Sequence, residues 1–153
     1  MMVFRLARER FSYTLSGMGA ARYGARWNSA GVELVYTTGN RSLAMAEVAI
    51  HLSVATLPDD YMMLSVHIPD SLSVDELRTD QLPDNWNAFP YPLTTKKIGD
   101  TFVSDNRAAI LRIPSVVTQG DFNYLLNPKH PDFTKISILS RERFPFDRRI
   151  FSS

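Results

Sequence analysis

The sequence predicts a single α+β domain, and three observations carry that prediction. Stretches of strand and helix character follow one another irregularly, without the regular βαβ alternation of a parallel sheet. A chain of 153 residues has the size of one ordinary domain and can bury one sizeable core. Its 44% hydrophobic and 22% charged residues match a globular composition and argue against intrinsic disorder.

Residues 3–7 open the chain as a short strand. Residues 12–31, containing Gly and Ser, form an irregular stretch too long for a simple connection, and such loops are often functional. Residues 32–37 (Val-Glu-Leu-Val-Tyr-Thr) are β-branched and aromatic between Gly31 and Gly39, which predicts a strand. Asn40 or Ser42 can cap a helix running to about Thr56, with Pro58 as its stop.

Residues 61–68 read as a firm strand ended by Pro69, and 75–82 as a short helix before the Pro-rich segment 83–92. Residues 94–112 have helical length and no internal Pro, with Gly99 the weak point. Residues 115–118, 122–126 and 135–141 complete the set as short strands. The arginines Arg141, Arg143, Arg148 and Arg149 suggest a solvated C-terminal tail.

Charge narrows the function classes. Lys plus Arg total 17 and Asp plus Glu total 16, so the net charge of +1 gives no electrostatic reason to expect a nucleic-acid or anionic-membrane surface. With no cysteine, thiolate zinc sites and cysteine nucleophiles are excluded. The first residues turn charged without an apolar signal-peptide core. No apolar run reaches the roughly 20 residues of a membrane helix. A cytoplasmic location is the expectation. His130 sits among turn formers with no second ligand at metal spacing, so no metal site is expected, and neither a G-x-G-x-x-G turn nor a Walker sequence is present.

The most informative element is the helix from Asn40. Leu43, Ala46, Ile50 and Val54 form one apolar stripe, and Met45, Val48, Ala49 and Leu52 another, which predicts a helix buried almost all round. Glu47 lies between Leu43 and Ile50. A carboxylate there must be paired or its pKa rises. One reading is a structural ion pair, with His51 four residues on as a local partner. The other is a carboxylate kept in a cleft to stabilise developing positive charge. Position alone does not separate them.

Neighbouring blocks extend the argument. Gly24-Ala-Arg-Trp-Asn-Ser-Ala-Gly31, Val35-Tyr-Thr-Thr38 and Ala46-Glu-Val-Ala-Ile-His-Leu52 resemble the RES family. So do Ile113-Pro-Ser-Val-Val117 and Asn123-Tyr-Leu-Leu-Asn-Pro-Lys-His-Pro-Asp132. The resemblance treats residues 1–153 as a single RES domain. It implies an ADP-ribosyltransferase-like fold and a toxin paired with a helix-turn-helix antitoxin of the Xre type. The implied activity is cleavage of the nicotinamide–ribose bond of NAD⁺, by phosphorolysis or hydrolysis. Protein ADP-ribosylation is the alternative activity, and a catalytically inactive binding module of the same fold the second alternative. NAD⁺ would be a substrate and no prosthetic group is implied; a homodimer is compatible with the likeness.

The family is named for an Arg, a Glu and a Ser, which match Arg26, Glu47 and Ser115. The resemblance assigns catalysis to Arg26, Tyr36 and Glu47, and NAD⁺ binding to Arg5 and Ser115. Chemically, Glu47 would stabilise an oxocarbenium-like ribose, Arg26 would fork onto the pyrophosphate, and Tyr36 would stack on nicotinamide. Structural alternatives stand beside each role. Arg26 can simply pair with Glu47, Tyr36 can be an ordinary strand aromatic, Ser115 can cap a turn, and Arg5 can be solvated. Trp27 and Asn28 are expected to shape their loop, and stretches 12–31 and 83–92 to wall a cleft near Arg26 that the antitoxin would cover.

Overall fold

The computed structural model describes residues 1–151. Among them, strands β1 (Met2–Arg8), β2 (Val35–Thr38), β3 (Tyr61–His67), β4 (Val74–Glu76), β5 (Ile110–Pro114), β6 (Phe122–Leu126) and β7 (Ser137–Arg143) form one sheet. Its order is β4-β5-β6-β2-β1-β3-β7. All described neighbours are antiparallel except β4 and β5. Helices α1 (Met18–Tyr23), α2 (Arg41–Ala49) and α3 (Leu93–Asp105) complete an α+β architecture. No helix among the described residues is long and apolar enough to cross a membrane.

The strands are two-sided, and their alternation divides the core. Val3, Val35, Leu64, Val66, Ile110 and Leu126 build one apolar cluster, while Trp27, Leu34, Phe102, Leu111, Ile113 and Leu125 build a second around α3. A smaller third cluster joins Ala44 of α2 to Leu6 and Met63.

One joint in the sheet is weak. β1 and β3 pair along seven residues, whereas β1 and β2 meet only at Phe4 and Thr38. Beyond that bridge the two strands part. The sheet therefore divides into a β4-β5-β6-β2 half and a β1-β3-β7 half, with a gap between neighbouring backbones.

Several sequence expectations are corrected. Asn40 does cap α2, its side-chain oxygen accepting from Leu43 N at 2.8 Å. The helix nevertheless stops at Ala49 instead of Thr56, and it is not buried all round: only Leu43 and Ala44 are buried, and Ile50 is 61% exposed. Past Ala49 the stripe has no core to meet, and without burial a further turn has little to stabilise it.

Residues 75–82 form no α-helix. Val74–Glu76 pair with β5, and a 3₁₀ turn follows at Thr79–Gln81. The helix expected over 94–112 ends at Asp105, because Asn106 adopts the left-handed conformation at φ 53° and caps it. The Ala- and Leu-rich remainder becomes β5, so 115–118 is the turn after that strand.

Stretch 12–31 is more ordered than expected and contains α1. Arg141 and Arg143 are not in a solvated tail either, since both lie on β7. Arg141 donates to the buried Ser12 Oγ at 2.8 and 3.1 Å and stacks 3.8 Å from the Tyr13 ring centroid.

α3 docks on the loop before β2 with no spare room. A Cβ on Gly99 would lie 1.5 Å from the Trp27 carbonyl oxygen, so backbone meets backbone there. Gly99→Ala must drive the helix and loop apart. It is expected to destabilise the domain by about 2–4 kcal/mol, in the range of severe core strain. Thermal unfolding measures this, and an unchanged Tm would show that the contact is dispensable.

Candidate active site

The cleft starts where the sheet splits. Its narrow part, about 250 Å³, is lined by Phe4, Arg5 and Leu6 of β1, Tyr36 and Thr38 of β2, Ala44, Glu47 and Val48 of α2, and Asn123 of β6. A wider part, about 1150 Å³, shares Arg5, Leu6 and Val48 and runs along α1 and the preceding loop past Arg8, Arg10 and Arg22. Stretch 12–31 thus forms one wall, as the sequence suggested, whereas stretch 83–92, expected as the other wall, lines neither part, and neither does Arg26.

Arg5 spans the split. Its Nη1 donates to the Tyr36 backbone oxygen at 2.9 Å, taking a place that a strand–strand bond would otherwise fill. Burial lowers its pKa, and no ion pair of Arg5 exists among the described residues. It is therefore not the solvated terminal arginine that its position suggests.

Arg26 occupies the loop between α1 and β2. Its Nη1 donates to the backbone oxygens of Trp86 and Ala88, both at 2.8 Å, and its guanidinium lies 4.9 Å from the Tyr91 ring centroid. The Pro-rich segment thus holds Arg26 through carbonyls and an aromatic face. Desolvation lowers its pKa, and the charges of Tyr91, Glu47 and Tyr36 work against that. No ion pair joins Arg26 to Glu47 among the described residues.

Tyr36 supports the same loop. Its hydroxyl donates to Asn28 Oδ1 at 2.6 Å and accepts from Trp27 N at 3.0 Å. Asn28, fully buried, donates in turn to the backbone oxygens of Ala20, Ser29 and Val32. Burial drives the Tyr36 pKa far above the usual phenol range, so the group stays neutral. Ser29 completes the anchorage by bonding Asp100 of α3 through its N–H and Oγ.

Among the described residues Glu47 has one side-chain hydrogen-bond partner, the Asn123 amide, whose Nδ2 donates to Oε1 at 3.1 Å. Burial raises its pKa. The Asn123 bond pulls it back, and the charges of His51 and Arg26 help less. His51 makes no ion pair with it among the described residues, so the local-pair alternative is not realised. A half-buried carboxylate without a cation at hand is expensive to keep ionised unless something else completes the site.

Ser115 is brought elsewhere. Its Oγ accepts from Val117 N and Thr118 N, both at 3.0 Å, and it lines neither part of the cleft. It caps the turn leading into β6, the strand that carries Asn123. The residue that sequence reasoning passed over is Asn123 itself. The alternation of Phe122–Leu126 puts it on the face of buried Leu125, so a buried amide in need of a partner was visible.

The structure is an α+β domain with a split sheet, whose narrow cleft carries Arg5 and Glu47 with no ion-pair partner among the described residues, and Arg26 stands outside the residues that line it. The RES domain model matches residues 2–147, and the chain belongs to the RES-domain toxin family. It is 37% identical to Toxin Res of Photorhabdus laumondii over 98% of this chain and 97% of that one. It is 32% identical to the Prs ADP-ribosylating toxin of a Sphingobium strain, over 96% and 94%. Its fold matches a chain of the M. tuberculosis MbcT–MbcA toxin–antitoxin complex with a TM-score of 0.76. That match covers 98% of this chain and 86% of the other at 16% identity.

The Tyr36 hydroxyl can be tested directly. Tyr36→Phe removes a donor from Asn28 and an acceptor from Trp27 while keeping the ring. Leaving those two buried groups unsatisfied is expected to cost about 1–3 kcal/mol and to loosen residues 24–31 in hydrogen exchange. Wild-type stability and protection in the variant would show that the loop is held by other contacts.

Proposed function

We propose that this protein cleaves the nicotinamide–ribose bond of NAD⁺ in the split-sheet cleft. The observation that carries the reading is that Arg5 and Glu47 share the narrow cleft without pairing, with Arg26 outside its lining but near enough for its charge to act on Glu47. Among the described residues Arg5 and Arg26 have backbone carbonyls for hydrogen-bond partners and no carboxylate, while Glu47 has an amide and no cation. Buried charges left in this state are normally completed by a ligand of matching charge pattern. NAD⁺ supplies an anionic pyrophosphate and, at its glycosidic end, a ribose that becomes cationic during cleavage.

In this reading the narrow part of the cleft takes nicotinamide and its ribose, and the wider arginine-lined part the adenosine diphosphate. Among the described residues only Nη1 of each arginine hydrogen-bonds protein, so Nε and Nη2 of Arg26 and of Arg5 are donors for phosphate oxygens. When the C–N bond breaks, its electron pair goes to the pyridinium nitrogen and nicotinamide leaves neutral. The positive charge passes to the ribose C1 and ring oxygen, where ionised Glu47 stabilises it. Water, phosphate or a protein side chain then bonds C1. Tyr36 and Ser115 act here as positioning residues, one for the Arg26 loop and one for the turn before Asn123.

The name of the Sphingobium relative favours a second reading for the acceptor, transfer of ADP-ribose to a protein. Both readings share the bond that breaks, and product analysis separates them. The matched toxin–antitoxin complex supports an antitoxin protein as partner; its Xre type comes from the family likeness, and its place over the cleft is part of the proposal.

Incubating the purified protein with NAD⁺ and following released nicotinamide tests the shared step. Glu47→Gln is expected to lower kcat about 10²-fold or more with a smaller change in KM. Because Glu47 must be ionised and burial raises its pKa, wild-type kcat should fall as pH drops through that raised midpoint and level off above it. A folded Glu47→Gln protein with near-wild-type turnover would remove Glu47 from the mechanism.

A further inference from the structure

We infer that Asn123 is the positioning residue of the site, a fixed amide that holds Glu47 by one oxygen and presents the other to the ribose. The inference rests on the reading of the cleft given above. Three geometrical facts support it. Asn123 sits on β6 between Thr38 of β2 and Ile113 of β5, so both sides of its backbone are locked into the sheet. Its side chain is nine-tenths buried, and its Nδ2 donates to Glu47 Oε1 at 3.1 Å. Glu47 Oε2 has no protein partner among the described residues, and both residues line the narrow cleft.

The arrangement solves a chemical problem. Glu47 stands on a short helix that packs against the sheet through Leu43 and Ala44, and its flexible side chain has several rotamers open to it. A cation at hand would fix the carboxylate but would also neutralise the charge needed in the transition state. A neutral amide fixes it without that loss. It also favours the ionised form, because a bond donated to a carboxylate stabilises the charge. Asn123 thus opposes the upward push of burial on the Glu47 pKa. The other charged or titratable groups acting on Glu47 are His51 in the turn after its helix and Arg26 from the loop before β2, with Arg5 of β1 and Tyr36 of β2 sharing the narrow cleft. All four remain in an Asn123 variant, so their influence is common to the proteins compared.

The test is a ¹³C titration of the glutamate side-chain carboxyls. Glu47 is one of five glutamates, and its signal is assigned by its loss in Glu47→Gln. Removing the bond with Asn123→Ala is expected to raise the Glu47 midpoint by about one pH unit or more. Asn123→Asp keeps the shape of the side chain and puts a second carboxyl on the same site. It should raise one midpoint of the pair further, because two like charges cannot share that space.

Unchanged Glu47 titration in either folded variant overturns the inference. A second readout is the pH profile of NAD⁺ cleavage. With Asn123→Ala the acid limb of kcat should move to higher pH, with the loss shrinking as pH rises and KM little altered. A loss equal at every pH would mark Asn123 as merely structural and overturn its positioning role. A wild-type protein that leaves NAD⁺ intact would count against the proposed reaction, while the titration would still decide the Asn123–Glu47 relation.

Discussion

Phe4 and Thr38 form the only bridge between β1 and β2, and the functional geometry follows from the parting of the strands beyond it. A continuous ladder would have brought the two backbones to ordinary strand spacing and closed the space the cleft occupies. Instead the guanidinium of Arg5 reaches across to the Tyr36 carbonyl and satisfies the acceptor that the missing ladder leaves behind. A backbone oxygen without a partner inside a protein is costly, so the split needs such a substitute. The substitute is a charged one. The same residue that makes the gap tolerable also puts an unpaired positive charge in it.

The second constraint is the buried amide of Asn28. Its two amide N–H groups are shared among the backbone oxygens of Ala20, Ser29 and Val32, and its Oδ1 accepts from the Tyr36 hydroxyl. One buried side chain thus ties α1, the loop and β2 together. The loop is further fixed against α3 by the Gly99–Trp27 contact and the Ser29–Asp100 bonds. Arg26 is therefore carried on a rigid support even though it stands outside regular structure, and binding groups need such support to act with precision.

Much of this was legible in the residues, but unevenly. β1, β3 and β6 were readable because they combine apolar and aromatic content with clear punctuation at their ends. Glu47 announced itself as a carboxylate among apolar neighbours, and the block around Asn28 as a loop-shaping element. What escaped depends on distant partners. Val74–Glu76 is a strand only because Ile110–Arg112 lies beside it, and no local pattern reveals that pairing. Residues 108–112 have helix-forming side chains, and the left-handed Asn106 decides against the helix. Arg26 is held by carbonyls sixty and more residues away, and Arg5 by a gap in a sheet that exists only after folding.

We propose that one molecule of NAD⁺ completes the charges of Arg5, Arg26 and Glu47. A crystal structure of the Glu47→Gln protein soaked with NAD⁺ decides this. Pyrophosphate oxygens are expected within hydrogen-bonding distance of Arg26 or Arg5, and the ribose C1 beside residue 47 near Asn123. Dinucleotide bound away from the split between β1 and β2, with both arginines still free of phosphate, would contradict it.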